Sequence, residues 1–279
     1  MYLILSLILP TLGMIISLLI TIYYKLPIWL IILLAIFTWI IILGIICIYI
    51  LLALHFRGKK YAINYDPKDP KRWRFMNNVS SFSCFWLGLR IKKVGFEKLN
   101  TKNPVVFYSN HCHFTDIILY DLVLKDYPRG SMYKKEHNTN PIFGGMVKGL
   151  GGVEIDRDND RAAIKSIMEI TKRVNDGVNF MIYPEGTRSK DGNIGEYHPG
   201  SFRIVEKAKD AKLAILAIKY SSFIPISFIF FPRHVYIELV DVLDKEDFND
   251  KTTVELAKEV EERTKQALED AKRKYRYLR

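Results

Sequence analysis

The stretch Ser109-Asn110-His111-Cys112-His113-Phe114-Thr115-Asp116 sets a histidine and an aspartate five positions apart, where a short apolar run gives way to a helical pattern. On one continuous α-helix that spacing would turn the two side chains about 140° apart, at about 3.6 residues per turn. With His111 in the turn before the helix and Asp116 in its first turn, the carboxylate reaches the imidazole. Asp116 then holds one tautomer and stabilises the imidazolium, while the other ring nitrogen takes a proton from a substrate hydroxyl. Such a dyad without a protein serine fits a reaction whose nucleophile is the acceptor's own alcohol.

A second stretch, Tyr183-Pro184-Glu185-Gly186-Thr187-Arg188-Ser189, follows an apolar strand. Gly186 lets backbone N–H groups approach an anion, Thr187 and Ser189 can donate, and Arg188 can grip a phosphate with two parallel bonds. Glu185 would orient Arg188 or bond an acceptor hydroxyl. A third stretch, Gly151 to Arg157, also ends a strand with an arginine, and Lys134 and Lys135 add positive charge between the first and third. These four segments offer a base and a phosphate cradle at strand ends, where open α/β sheets place their sites.

The elements that must position these groups alternate. Strands are expected over 105–109, 152–155, 178–183, 213–220, 224–231 and 235–242. Helices are expected over 114–124, 161–175 and 200–209, with another over 75–89 whose Phe82, Phe85, Trp86 and Leu89 share a core-facing side. Thr252-Thr253-Val254-Glu255 reads as a capping box opening a C-terminal helix. The pattern predicts an α/β fold with a largely parallel sheet flanked by helices, preceded by an N-terminal transmembrane helical hairpin.

That hairpin rests on two apolar runs, 3–22 and 28–54, each near the roughly 20 residues that cross a bilayer core. Residues 2–54 carry one charge, Lys25, and the turn around it, Tyr23 to Pro27, suits a lipid boundary. A hairpin that enters one leaflet, bent at Pro10 and Gly13, is the alternative; a cleaved signal peptide is disfavoured because no basic leader or cleavage site is present. The net charge is +11, with Arg57, Lys59, Lys60, Lys68, Lys71, Arg72 and Arg74 directly after the apolar runs. Basic residues there attract anionic headgroups and put the following domain on the cytoplasmic face. Their place against the membrane, with no nucleic-acid motif after them, argues against nucleic acid as a partner. The three cysteines have neither disulfide nor zinc spacing. The expected division is a hairpin over 1–55 and a domain over 56–279, made of a connector and helix (56–104), a catalytic core (105–245) and a C-terminal helix (252–279).

From about residue 100 to 220 the chain resembles the glycerolipid acyltransferases, the lysophosphatidate (1-acyl-sn-glycerol-3-phosphate) acyltransferase family. His111 and Asp116 match the His-x4-Asp motif. Gly152 to Arg157 resembles the second block, and Tyr183 to Ser189 is a close match to the third. The run Tyr197 to Phe202 resembles the start of the family's following helix. The chain departs from the pattern at His113, where serine is frequent, and at Ile215 to Ile218, which lacks the usual proline. The resemblance implies that His111 is the general base with Asp116 its partner. It implies that Glu185, Gly186, Thr187 and Arg188 bind the acceptor, and that Arg157, with Lys134 or Lys135, contacts phosphate. It also implies an acyl-CoA or acyl carrier protein donor, a lysophospholipid acceptor, membrane phospholipid as surroundings, and no metal or cofactor. Other acceptors of the class are glycerol-3-phosphate and larger lysophospholipids. Two readings from other classes remain: a membrane metallohydrolase with His111, His113 and Asp116 as ligands, and a lipid-binding protein without turnover. A thiol nucleophile at Cys112 is disfavoured, since adjacent residues point apart.

Overall fold

A computed structural model describes residues 1–66, 69–156, 159–189, 192–222 and 232–278. It opens with α1 (Tyr2–Tyr23) and α2 (Ile28–Ile63), both long and apolar enough to cross a membrane. Their large side chains, among them Leu12, Ile16, Ile36 and Ile40, are exposed. A helix apolar nearly all round belongs in a core or in lipid, so this exposed pair suits association with a membrane. The helix α2 runs on past the expected end at Leu54, through Arg57, Lys59 and Lys60. No proline stops it there, and arginine and lysine are good helix formers.

The next helix, α3 (Pro70–Trp86), begins earlier than the apolar pattern suggests. Asp69 accepts the Lys71 N–H at 2.9 Å and Pro70 takes the first turn, a cap and proline pairing that sets the start. It stops before Gly88, which adopts φ +61°, and Leu89 falls instead in β1 (Leu89–Val94). The chain then runs through β2 (Val105–Ser109), α4 (Asp116–Val123), β3 (Arg129–Lys134), α5 (Gly144–Gly149) and β4 (Val153–Ile155). It continues with α6 (Asp160–Asn175), β5 (Asn179–Ile182), α7 (Arg203–Lys207), β6 (Lys212–Tyr220), β7 (Arg233–Leu243) and α8 (Thr253–Lys274). The capping box at Thr252 and Glu255 opens α8 as the sequence indicates. The expected strand over 224–231 lies outside the described residues.

The strands form one sheet in the order β1-β7-β6-β2-β5-β3-β4, parallel throughout except for the β6–β7 pair. Two of its strands, β1 and β3, carry too little apolar alternation to be read from sequence. The first is an edge strand with Arg90, Lys92 and Lys93 exposed, and charge on an edge guards against unwanted pairing.

Alternation divides the core between the two faces. Val106, Tyr108, Phe180, Ile182, Leu213 and Ile215 pack with Ile170 and Val174 of α6, Ile204 of α7, and Leu256 and Val260 of α8. Val105, Phe107, Met181, Leu216 and Ile218 pack with Leu119 and Val123 of α4. A further cluster joins the apolar helices to the domain: Tyr2, Ile50 and Leu54 meet Phe75, Val79, Phe82 and Trp86 of α3. Trp86 Nε1 donates to Ser6 Oγ at 2.9 Å. Gly58 of α2 lies so close to α5 that a Cβ there would stand 2.7 Å from the Met146 nitrogen. The face of α3 is therefore packing surface, as its spacing indicates.

Candidate active site

The parallel strands β6, β2, β5, β3 and β4 end on one edge of the sheet, and that edge carries the residues singled out above. After Ser109 the chain turns through residues 110–115, with Thr115 at the N-cap of α4, and Asp116 opens the helix. His111 therefore sits in the turn and Asp116 in the first helical position. The His111 Nδ1 to Asp116 Oδ2 distance is 2.7 Å. Asp116 is 0% exposed, while the His111 side chain keeps 17% of its surface open.

Four donors converge on this carboxylate. Oδ2 accepts from His111 Nδ1 and from the backbone N–H groups of Cys112 at 2.8 Å and His113 at 3.0 Å. Oδ1 accepts the Tyr220 hydroxyl at 2.6 Å. A buried carboxylate costs several kcal/mol unless it is paired and hydrogen-bonded, at roughly 1.5–3 kcal/mol for each bond to a charged group. The turn is anchored by Asn110, whose side chain donates to Ile218 O and accepts from Ile218 N, both at 2.9 Å. The ring of His111 stacks on Tyr183, with centroids 4.1 Å apart.

The loop after β5 is stapled to this turn. Glu185 Oε1 accepts the His111 backbone N–H at 2.6 Å, and Oε2 accepts that of Gly195 at 2.8 Å. Ser189 N donates to His111 O at 2.8 Å. Both backbone groups of His111 are thus held by the Pro-Glu-Gly-Thr-Arg loop. Glu185 is buried and makes no ion pair with Arg188 among the described residues. Its carboxyl sits above the usual range because burial outweighs the two backbone donors. Burial also pushes up the Tyr183 and Tyr220 hydroxyls, both with help from the Asp116 charge, so both stay neutral. The Cys112 thiol is pushed well up, first by burial and then by Asp116 and Glu185, which holds it as an unreactive thiol.

Gly186 adopts φ +71°, a conformation that glycine takes without strain, and it turns the loop outward. Thr187 and Arg188 follow and are exposed. Lys134 ends β3, two strands from β2 and so roughly 10 Å along the edge at about 4.8 Å per strand. Lys135 pairs with Asp156 at 3.4 Å. The structure thus joins His111, Asp116 and Glu185 in direct contact, sets Gly186, Thr187 and Arg188 on the same loop, and leaves Lys134 and Lys135 further along the edge. Arg157 lies outside the described residues. Among the described residues no group of three His, Cys, Asp or Glu side chains is arranged to hold a metal ion. Sequence reasoning missed Asn110, Tyr183 and Tyr220; only their places at or just past the ends of the apolar strands β2, β5 and β6 hint at them.

A family model described as Acyltransferase matches residues 90–229, half of the chain. A chloroplastic 1-acyl-sn-glycerol-3-phosphate acyltransferase of Arabidopsis thaliana is 27% identical over 180 residues, covering 63% of this chain and 49% of that one. A 1-acyl-sn-glycerol-3-phosphate acyltransferase of Cocos nucifera is 35% identical over 131 residues, or 46% and 41% of the two chains. A lyso-ornithine lipid O-acyltransferase of Rhizobium meliloti is 30% identical over 126 residues, 44% and 40% of the two. The aligned part spans about half the length of these curated relatives. The crystal structure of the 1-acyl-sn-glycerophosphate acyltransferase PlsC of Thermotoga maritima shares the fold, with a TM-score of 0.62 at 22% identity over 79% of this chain and 90% of that one.

Proposed function

The chain belongs to the acyltransferase family, and from that premise we propose that it moves a fatty acyl group from a thioester donor to the free hydroxyl of lysophosphatidate, giving phosphatidate. The observation that carries this reading is the 2.7 Å contact between His111 Nδ1 and a buried Asp116 carboxylate, with the imidazole still partly open. Asp116 accepts at Nδ1, which leaves Nε2 as the basic nitrogen. Nε2 takes the proton of the acceptor hydroxyl as its oxygen attacks the thioester carbonyl. The C–O bond forms, the C–S bond breaks, and the proton passes from the imidazolium to the departing thiolate. No covalent acyl-enzyme is required.

Arg188, exposed on the loop that holds His111, receives the acceptor phosphate, with Gly186 and Thr187 supplying further donors. Lys134 and Lys135 extend the positive field along the same edge, and Arg157 is the further phosphate contact that the family resemblance implies. Glu185 positions the base, its two oxygens holding the backbone N–H groups of His111 and Gly195. The donor is acyl-CoA or acyl carrier protein, and the chemistry needs neither metal nor cofactor. The hairpin over 1–55 sits in the membrane, and the domain over 56–279 faces the cytoplasm with its basic connector against anionic headgroups. The relatives' names favour lysophosphatidate as acceptor.

The test is acyl transfer by the purified full chain in detergent. Labelled acyl-CoA and acyl carrier protein are each offered with lysophosphatidate, glycerol-3-phosphate, lyso-ornithine lipid and lysophosphatidylcholine, with and without EDTA. Phosphatidate formation that survives EDTA is expected. Preference for another acceptor would reassign the substrate, and loss of transfer in EDTA would reinstate a metal.

A further inference from the structure

Beyond the dyad, a chain of side chains runs from Asp116 back to the turn that precedes it. Tyr220, the last residue of β6, places its hydroxyl 2.6 Å from Asp116 Oδ1. The same hydroxyl lies 2.8 Å from Thr115 Oγ1, and Thr115 Oγ1 lies 2.9 Å from His113 Nδ1. Proton counting gives this chain a direction. An ionised carboxylate only accepts, so the Tyr220 hydroxyl proton points at Asp116. The tyrosine oxygen must then accept from Thr115, whose single proton is thereby committed. Thr115 Oγ1 in turn meets His113 Nδ1, which also receives the Thr115 backbone N–H at 3.4 Å, so the His113 ring is held against Thr115. The order is Thr115 to Tyr220 and Tyr220 to Asp116, with His113 packed on Thr115.

Tyr220 and Thr115 are both buried, at 9% and 2% exposed, so water competes little with these bonds. Arg233, from the first position of β7, sets its guanidinium 4.7 Å above the Tyr220 ring and covers it from the other side. We propose that Tyr220, backed by Thr115 and His113, is a positioning residue that fixes the Asp116 carboxylate against His111 and moderates the negative charge which that carboxylate presents to the imidazolium. The proposal rests on the dyad reading above. It adds a residue from β6, more than a hundred positions away in sequence, and gives His113 a place in the site without making it a ligand or a base.

Without the tyrosine hydroxyl, Oδ1 loses the donor that the described residues give it, and the carboxylate is held on its Oδ2 side alone. Its charge is also no longer shared with that donor, so the imidazolium holds its proton to higher pH. Titratable and charged groups around the dyad are Cys112 and His113 on the turn, Tyr120 from α4, Tyr183 and Glu185 after β5, Lys219 from β6 and Arg233 from β7. None of these is altered in the variants that follow, and the acceptor phosphate titrates alike in all of them.

The experiment measures kcat and KM from pH 5.5 to 9 for the full chain in detergent micelles, with oleoyl-CoA and lysophosphatidate. The variants are Tyr220→Phe, Thr115→Val, Thr115→Ser and His111→Ala, each checked for folding by circular dichroism melting. Tyr220→Phe is expected to lower kcat about tenfold, the scale of one hydrogen bond to a charged group, with KM changed less than about twofold. The ascending limb of its pH–rate profile should move to higher pH. Thr115→Val should move the limb in the same direction by less, and Thr115→Ser should restore the wild-type profile. An unmoved limb in Tyr220→Phe, whether activity falls or not, overturns the positioning role; if His111→Ala is inactive in the same series, the dyad reading stands. Activity surviving in His111→Ala overturns both.

Discussion

Replacing Asp116 by asparagine separates the charge of the dyad from its geometry. Three of the four donors on this side chain meet Oδ2, and one, the Tyr220 hydroxyl, meets Oδ1. An asparagine satisfies most of them by placing its carbonyl at Oδ2 and its amide at Oδ1, where the tyrosine hydroxyl can turn to accept. The hydrogen bond to His111 Nδ1, the ring orientation and the tautomer all persist, and the negative charge is lost. With the centres of the two charges about 4 Å apart and an effective dielectric constant of about 20, that charge stabilises the imidazolium by about 4 kcal/mol. This corresponds to about a thousandfold in rate. The expected result is a fall in kcat of that order with KM for lysophosphatidate near wild type and an unchanged circular dichroism spectrum. In His111→Ala the further change Asp116→Asn should cost little, because the two residues act as one unit. A folded Asp116→Asn enzyme retaining a tenth or more of wild-type kcat would show that no imidazolium develops, and would refute the general-base argument.

Further expectations follow from neighbouring contacts. Asn110→Ala orphans the Ile218 backbone N–H and leaves its C=O with the Cys112 thiol as donor, which should cost about 1–3 kcal/mol, the scale of one orphaned group; urea denaturation measures it, and a loss below about 0.5 kcal/mol would contradict the anchoring role. Arg188→Ala should raise KM for lysophosphatidate about tenfold with kcat little changed, the mark of lost phosphate binding rather than lost chemistry. Glu185 has its carboxyl held above the usual range by burial, so the folded state binds its proton more tightly than the unfolded chain. Its contribution to stability is then full below the unfolded value of about 4.3 and is lost as pH rises through the folded value. Urea midpoints of wild type should therefore fall relative to Glu185→Gln on going from pH 4 to pH 7, and parallel curves would show that this carboxyl is not shifted.

Much of the fold was legible because it rests on local signals. Two runs of apolar residues gave the helical pair, and the strand–turn–helix around residues 105–123 gave the dyad its geometry. The capping box at Thr252 gave the start of α8. The start of α3 was mistaken because the apolar periodicity begins at Phe75, while the Asp69–Pro70 cap that sets the helix start lies in a turn-rich stretch. β1 and β3 went unread because Arg90, Lys92, Lys93 and Arg129 break the apolar alternation.

The site was legible only in part, for a different reason. His111 and Asp116 are close in sequence, and their contact follows from local geometry. Glu185 stood out as a chemical residue, yet its role on the His111 and Gly195 backbone depends on β5 lying beside β2. Tyr220 and the Ile218 backbone reach the turn only because β6 lies on the other side of β2. Strand order is a property of the folded sheet, and hydrophobic periodicity carries no record of it. A tyrosine at the end of a buried strand therefore reads as core until its neighbours are known.

The most direct test of the central claim compares wild-type protein and His111→Ala for transfer of labelled acyl groups to lysophosphatidate, with melting curves confirming that both are folded. The account predicts phosphatidate from wild type and a loss of at least about a thousandfold in the variant, the scale of a general base working with its charged partner. Transfer by folded His111→Ala at a rate near wild type would contradict it.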